Sequence, residues 1–215
     1  MGAGVGKKPN DALKEYHGRL EVFKRYGYDM MKARTFVINK SSIKGGDVLE
    51  VGTGKGHLAI GLAKRAIQFT TIDFDQKTLN IAKNNLEEHG ILSYVCIKKM
   101  DAEKLRFKDS AFDHVISVNF IHHAKRPKRC ISEMIRVASR SITIADLNKC
   151  GEAVMDKVYK LDCHKHERSR MSLDGIKEFL EKSGLSVKVY RDTCQTVFIA
   201  KKGGSNEDLY SDRNK

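Results

Sequence analysis

The 215-residue chain has no run of 18 apolar residues, which excludes a transmembrane helix. Its first residues lack the apolar stretch of a secretory leader. Gly2 follows Met1, but Gly6 stands where N-myristoylation needs Ser or Thr. Five cysteines, Cys96, Cys130, Cys150, Cys163 and Cys194, contain no C-x-x-C pair. An odd, scattered set with no leader predicts reduced thiols, a cytoplasmic setting and no membrane partner. Gly2 to Lys8 lacks the P-loop spacing, its Ser or Thr and a preceding strand, so no phosphate cradle is read there.

What is present has a globular balance, 40% hydrophobic and 31% charged. The length suits one α/β domain with some added elements and a core that needs no staples. A formal charge of +13 is high for this size. It suits an anionic partner such as RNA, or equally a solvated lysine-rich surface. The basic residues are spread along the chain, and no compact nucleic-acid motif accompanies them.

Residues 1–10 read as a flexible tail and 11–40 as an N-terminal helical cap broken at Gly27. Residues 41–202 form the main domain, and the polar residues 203–215 read as a disordered tail. In the main domain, apolar runs predict buried strands at Asp47–Val51, Phe69–Asp73, Tyr94–Lys98, His114–Val118 and Ser141–Ala145. Helical spacing predicts helices from His57 to Gln68, Gln76 to His89 and Lys128 to Ser139. Residues 148–171 break this rhythm as a polar, helical, substrate-side insertion. Ser172 is the expected N-cap of a further helix stopped near Gly184. A hairpin of Leu185–Tyr190 and Thr196–Ala200 closes the domain. Such alternation builds a doubly wound α/β sheet with helices on both faces, whose ligand sits at the carboxyl ends of the strands.

The loop after the first strand is Glu50-Val51-Gly52-Thr53-Gly54-Lys55-Gly56. Its glycines let the chain turn tightly and let a ligand approach the backbone. A dinucleotide site wants G-x-G-x-x-G; here His57 fills the last position and Gly56 falls one residue early. At the end of the second strand, Asp73 is placed to accept hydrogen bonds from ribose hydroxyls, unless it only shapes the turn with Asp75.

DVLEVGTGKGHLAI, TIDFD and KKMDAEKLRFKDSAFDHVISVNFIHH resemble, in order, the first to fourth motifs of class I S-adenosylmethionine-dependent methyltransferases, in particular the small-molecule type. The resemblance covers roughly residues 45–200. It implies a Rossmann-like seven-stranded sheet in the order 3-2-1-4-5-7-6, last strand antiparallel, and S-adenosyl-L-methionine as cofactor. Gly52, Thr53, Gly54 and Gly56 would then pass under the methionine part, and Glu50 would orient its amino group. Asp73 would hold the ribose hydroxyls and Phe74 one adenine face. Asp101 would meet the adenine edge, with Ala102 contributing backbone, and Asn119 would stand beside the sulfonium. The chain departs from the family twice. It lacks Asn-Pro-Pro-Tyr or Asp-Pro-Pro-Tyr after the fourth strand, which disfavours methylation of DNA adenine. Ala138-Ser139-Arg140 replaces the Pro-Gly-Gly turn before the fifth strand.

Methyl transfer from a sulfonium is an in-line displacement that depends mainly on positioning. A base helps only if the acceptor carries a proton that must leave. His122 and His123 are the candidates, with packing beneath the cofactor as the alternative. Cys163, His166 and Glu167 share a helical face near His164 but have no second ligand pair, so no metal is expected. Aromatic and Met residues from Tyr16 to Met31 suit either a cap over the site or plain packing. The leading expectation is a methyltransferase acting on a small molecule. The charge, with Lys125, Arg126, Lys128 and Arg129 near the site mouth, favours an RNA methyltransferase as second reading. A non-catalytic cofactor-binding module that binds RNA or protein is the third.

Overall fold

The computed structural model describes residues 9–161 and 170–203. Seven strands form one sheet in the order β3-β2-β1-β4-β5-β7-β6: β1 is Val48–Val51, β2 Phe69–Asp73, β3 Val95–Lys99, β4 Phe112–Val118, β5 Ala138–Leu147, β6 Ser186–Arg191 and β7 Gln195–Lys201. The first five pair in parallel, and β7 runs antiparallel to both β5 and β6, as the family resemblance implies. Every residue of β1 is buried, whereas the edge strand β3 exposes Cys96, Lys98 and Lys99. Lysines on an edge discourage pairing with another chain.

The helices are α1 (Pro9–Arg25), α2 (Met30–Ser41), α3 (His57–Ala63), α4 (Gln76–Glu88), α5 (Pro127–Val137), α6 (Lys149–Leu161) and α7 (Leu173–Lys182). The starts of α2, α4 and α7 are written in side chains that accept otherwise orphaned amides. Asp29 accepts Lys32 N–H, Asp75 accepts Lys77 and Thr78 N–H, and Ser172 accepts Gly175 N–H. On one face of the sheet, Ile131 and Met134 of α5 and Ile176 and Leu180 of α7 pack with Leu49, Val51 and Ile72. On the other, Val37 and Ile38 of α2 and Leu58 and Leu62 of α3 pack with Val48, Phe69 and Ile116. A third cluster joins Phe23, Tyr28 and Met30 of the N-terminal segment to Val154, Met155 and Val158 of α6.

The structure moves several expected boundaries. The first helix already begins at Pro9, inside the stretch read as a tail, and the break at Gly27 holds. The helix after the glycine loop ends at Ala63, not Gln68. The chain must reverse to enter β2, so Ile67 N–H reaches back to Leu62 C=O at 3.4 Å and Ala66 takes the left-handed region, φ 57°. Ala138-Ser139-Arg140, expected as a turn, instead starts β5, with Ala138 opposite Phe112. The insertion is helical through Leu161; Cys163, His164, His166 and Glu167, with residues 204–215, lie outside the described residues.

An L-residue in the left-handed region carries a cost that glycine avoids. Ala66→Gly is therefore expected to raise the unfolding free energy by about 0.5–1 kcal/mol. Urea denaturation with an unchanged slope is the check, and an equal or lower midpoint would refute the strain.

Candidate active site

The loops that follow β1, β2, β3 and β4 converge at the carboxyl ends of these strands. They enclose two adjoining cavities, of about 370 Å³ and about 230 Å³, which share Gly52 and His123 in their walls. The larger is lined by Asp73, Phe74, Asp101 and Ala102 among others. The smaller is lined by Glu50, Thr53, Gly54 and Asn119 from the loops and by Arg34, Phe23, Met30, Met155 and Tyr159 from the helices.

The glycine loop is shaped by two constraints. The N–H groups of Gly52 and Thr53 both donate to Ile72 C=O, at 2.9 and 3.0 Å, which folds the loop over the end of β2. Gly52 has φ 88°, and a side chain there would start 2.7 Å from Cβ of Phe120. Gly54 has φ 52°, yet a Cβ on it would meet nothing within 4 Å. The chain there is bent toward open space, which a ligand can fill. Gly56 lines neither cavity; its Cα faces Ala82 of α4, 3.6 Å from where a Cβ would lie. It sets the packing of α3 on α4.

Asp73 is held in place by its own loop. Its Oδ2 accepts Gly54 N–H at 3.0 Å and its Oδ1 accepts Asp75 N–H at 3.1 Å. Each carboxylate oxygen has a further lone pair for a ligand hydroxyl. Phe74, beside it, is 70% exposed, the most exposed large apolar side chain of the described residues. Asp101 closes a turn by accepting Glu103 N–H at 2.9 Å with Oδ1. Acidic group, bare aromatic face and second acidic group thus surround one cavity, a set that fits an adenosine.

The smaller cavity has a buried polar wall. Glu50 is 1% exposed, and its Oε2 accepts the Thr71 hydroxyl at 2.5 Å. The Thr71 hydroxyl also contacts that of Thr53 at 2.6 Å, which spends the Thr53 side chain away from the cavity. Burial drives the Glu50 carboxyl up to about 8, against the opposing pull of the Thr71 hydrogen bond and the Arg34 charge. Arg34 is itself buried. Its Nη1 donates to Tyr28 Oη at 3.0 Å and to Gln195 Oε1 at 3.5 Å, both neutral acceptors. Tyr28 donates to Gln195 at 3.4 Å and accepts Asn119 Nδ2 at 2.9 Å, while Gln195 Nε2 donates to Ala33 C=O at 2.9 Å. Asn119 takes φ 54°, and its Oδ1 is buried without a partner. A buried guanidinium bonded to neutral acceptors and a buried carbonyl oxygen without a partner, both at the same cavity, are groups that a polar ligand would satisfy.

The two histidines separate. His122 is buried and lines neither cavity; its N–H donates to Asp146 Oδ2 at 3.0 Å and its Nδ1 pairs with Asp146 Oδ1. It braces the turn after β4. His123 stacks on it, ring centroids 4.0 Å apart, and faces both cavities. The basic group at the mouth is partly spent on the protein. Arg126 pairs with the Glu103 carboxylate and Arg129 Nε donates to Glu103 C=O at 3.0 Å. Among the described residues no His, Cys, Asp or Glu group of three is arranged to hold a metal ion. None of their helices is long and apolar enough to cross a membrane.

Sequence reasoning missed Arg34, Gln195 and Asp146, and placed Tyr28 only within the aromatic and Met stripe read as cap or packing. Arg34 left a signal: it is a cation on the buried stripe Met30, Arg34, Val37, Ile38 and Ser41 of α2. Gln195 left none.

Residues 49–141 match the family model for a methyltransferase domain. The match supports a class I S-adenosylmethionine-dependent methyltransferase domain over these residues. Over 105 residues it is 35% identical to a phosphatidylethanolamine N-methyltransferase of Cereibacter sphaeroides, covering 49% of this chain and 51% of that one. It is 30% identical over 97 residues to a ubiquinone biosynthesis O-methyltransferase of Coxiella burnetii, covering 45% and 40%. The methyltransferase domain thus spans about half the length of the curated relatives it matches, or less. The fold is also that of a SAM-dependent methyltransferase from Aquifex aeolicus, with TM-score 0.65 at 20% identity over 91% of this chain and 99% of that one.

The raised carboxyl of Glu50 in this methyltransferase domain makes a linkage prediction. With a folded value of about 8 against the ordinary 4.5, the native state holds a proton that the unfolded state releases between these limits. Stability of the unliganded protein should therefore fall as pH rises through that window and level off above it. Glu50→Gln should flatten the decline. Urea denaturation at a series of pH values is the check, and an unaltered slope would place the dependence elsewhere.

Proposed function

We propose that this protein transfers a methyl group from S-adenosylmethionine to a small-molecule acceptor. The observation that carries the reading is the pair of cavities joined at Gly52 and His123, one built for an adenosine and the other for a charged, amino-acid-like tail. Asp73 would hold the ribose hydroxyls, Phe74 one adenine face, and Asp101 with the Ala102 backbone the adenine edge. Gly52, Thr53 and Gly54 would pass beneath the methionine part through their backbone, Glu50 would take its amino group, and Asn119 would stand beside the sulfur. Arg34, buried at the wall of the smaller cavity, would face the carboxylate, whose charge would meet the guanidinium.

Bound there, the cofactor supplies a methyl group on positively charged sulfur, open to in-line displacement by the acceptor. The chain's own contribution is positioning and exclusion of water. Phe23, Met30, Met155 and Tyr159 wall the smaller cavity with apolar surface. Where the acceptor carries a proton that must leave, His123 is placed to take it, and His122 with Asp146 holds the turn that carries His123. The names of the relatives, an N-methyltransferase and an O-methyltransferase of small molecules, support this class of acceptor. The RNA reading loses ground because Arg126 and Arg129 are engaged by Glu103.

Calorimetry should detect S-adenosylmethionine binding. Asp73→Ala should weaken it about 10–100-fold, the range of one or two hydrogen bonds to a charged group. No binding to the unaltered protein would overturn the reading. In a transfer screen of metabolites against RNA, a small molecule should be the acceptor. With it, His123→Ala should leave cofactor affinity within about threefold but lower turnover about 100-fold; unchanged turnover would remove His123 from the chemistry.

A further inference from the structure

The head of α6 is clamped to the turn between β6 and β7. Asn148 donates its backbone N–H to Cys194 C=O at 3.1 Å, and its side-chain amide to the carbonyls of Asp192 and Thr193, both at 3.1 Å. Its Oδ1 accepts Gly151 N–H at 3.0 Å. The approach is so close that a Cβ on Gly151 would lie 2.1 Å from the Cys194 carbonyl oxygen, so only glycine is accommodated. This contact brings two thiols together, with Cys150 Sγ and Cys194 Sγ 3.8 Å apart. Cys150 is exposed and Cys194 is 2% exposed. Cys194 donates its S–H to Gly27 C=O at 3.5 Å.

We propose that Cys150 and Cys194 form a redox-modification site that closes to a reversible disulfide when a peroxide reaches Cys150. The Cys150 thiolate attacks the peroxide, the O–O bond breaks, and a sulfenic acid and one water result. The Cys194 sulfur then displaces the hydroxyl, the S–S bond forms, and a second water leaves. Two thiols give up two electrons, the peroxide gains them, and both thiol protons end in water. Burial pushes the Cys194 thiol up to about 12, so the exposed Cys150 is the thiol that meets the peroxide first. Cys130 is buried as well, with its thiol also pushed up to about 12, but among the described residues no cysteine contact accompanies it. Cys96 is exposed on the far edge strand.

The position of the pair ties this site to the cavity. Cys194 precedes Gln195, and Gly27 precedes Tyr28. These neighbours belong to the hydrogen-bonded set that holds Arg34 and Asn119 at the smaller cavity. The helix that Cys150 begins contributes Met155 and Tyr159 to the same wall. Oxidation removes the S–H that the Gly27 carbonyl accepts, which loosens the turn carrying Tyr28. Cofactor affinity should fall about fivefold, the effect of one lost hydrogen bond. This second half rests on the proposed cofactor site; the disulfide itself does not.

The test uses the full chain, treated with hydrogen peroxide, capped with iodoacetamide and digested without reductant. The expected product is a peptide pair joined through Cys150 and Cys194, absent after dithiothreitol and absent in Cys150→Ser. Oxidation of Cys150 to a sulfinic acid with Cys194 still capped as a thiol would overturn the site, as would a link from either residue to another cysteine. Calorimetry with S-adenosylmethionine then compares reduced and oxidised protein. A weaker affinity restored by dithiothreitol and missing in Cys150→Ser supports the coupling. A linked pair with unchanged affinity overturns the coupling alone, and absence of binding to the reduced protein overturns the cofactor reading alone.

Discussion

Glu50 lies on β1, an interior strand of the sheet, a carboxyl group on a strand where every residue is buried. Placing an acid there is costly, and the cost falls only if it stays neutral or finds donors and a cation. Thr71 on the adjacent strand gives the hydrogen bond, and Arg34 on α2 gives the nearby charge. The need to satisfy one side chain therefore ties β1, β2 and α2 together. Arg34 in turn recruits Tyr28 and Gln195, and Tyr28 recruits Asn119 at the end of β4. A chain of polar contacts thus runs from the middle of the sheet, through the N-terminal helices, to the last hairpin, and it borders the smaller cavity.

That chain explains what could and could not be read from residues alone. The strands were legible because buried parallel strands are short apolar runs, as in Val48–Val51 and Val115–Val118, each followed by loop residues. The glycine loop at Gly52 and the acid Asp73 could be singled out for the same reason, since they stand at or just past strand ends; Asp101 and Asn119 came only with the family resemblance, and all four line one or other of the two cavities. The helix side was not. Tyr28 and Gln195 meet across 167 positions of chain; the aromatic stripe marked Tyr28 without its partner, and no local pattern marks Gln195. His122 and His123 have the same chemistry and adjacent positions. Only the short helical turn that buries one ring against Asp146 distinguishes the brace from the residue facing the cavities.

The N-terminal segment packs on α6 and also walls a cavity. Phe23 and Met30 are buried in a cluster with α6 and also line the smaller cavity. Tyr28 is buried outright. The same apolar contacts that attach α1 and α2 to the sheet therefore set the shape of the smaller cavity. Changes in acceptor preference and changes in stability will be hard to separate on these helices.

The contact between Gly52 and Phe120 has a similar coupling on a smaller scale. The first loop has no side chain at the point where the aromatic ring of the fourth loop rests. The two loops behave as a mould and its cast: neither can be enlarged unless the other is pared. In any attempt to reshape this site by selection, positions 52 and 120 should change as a pair or not at all.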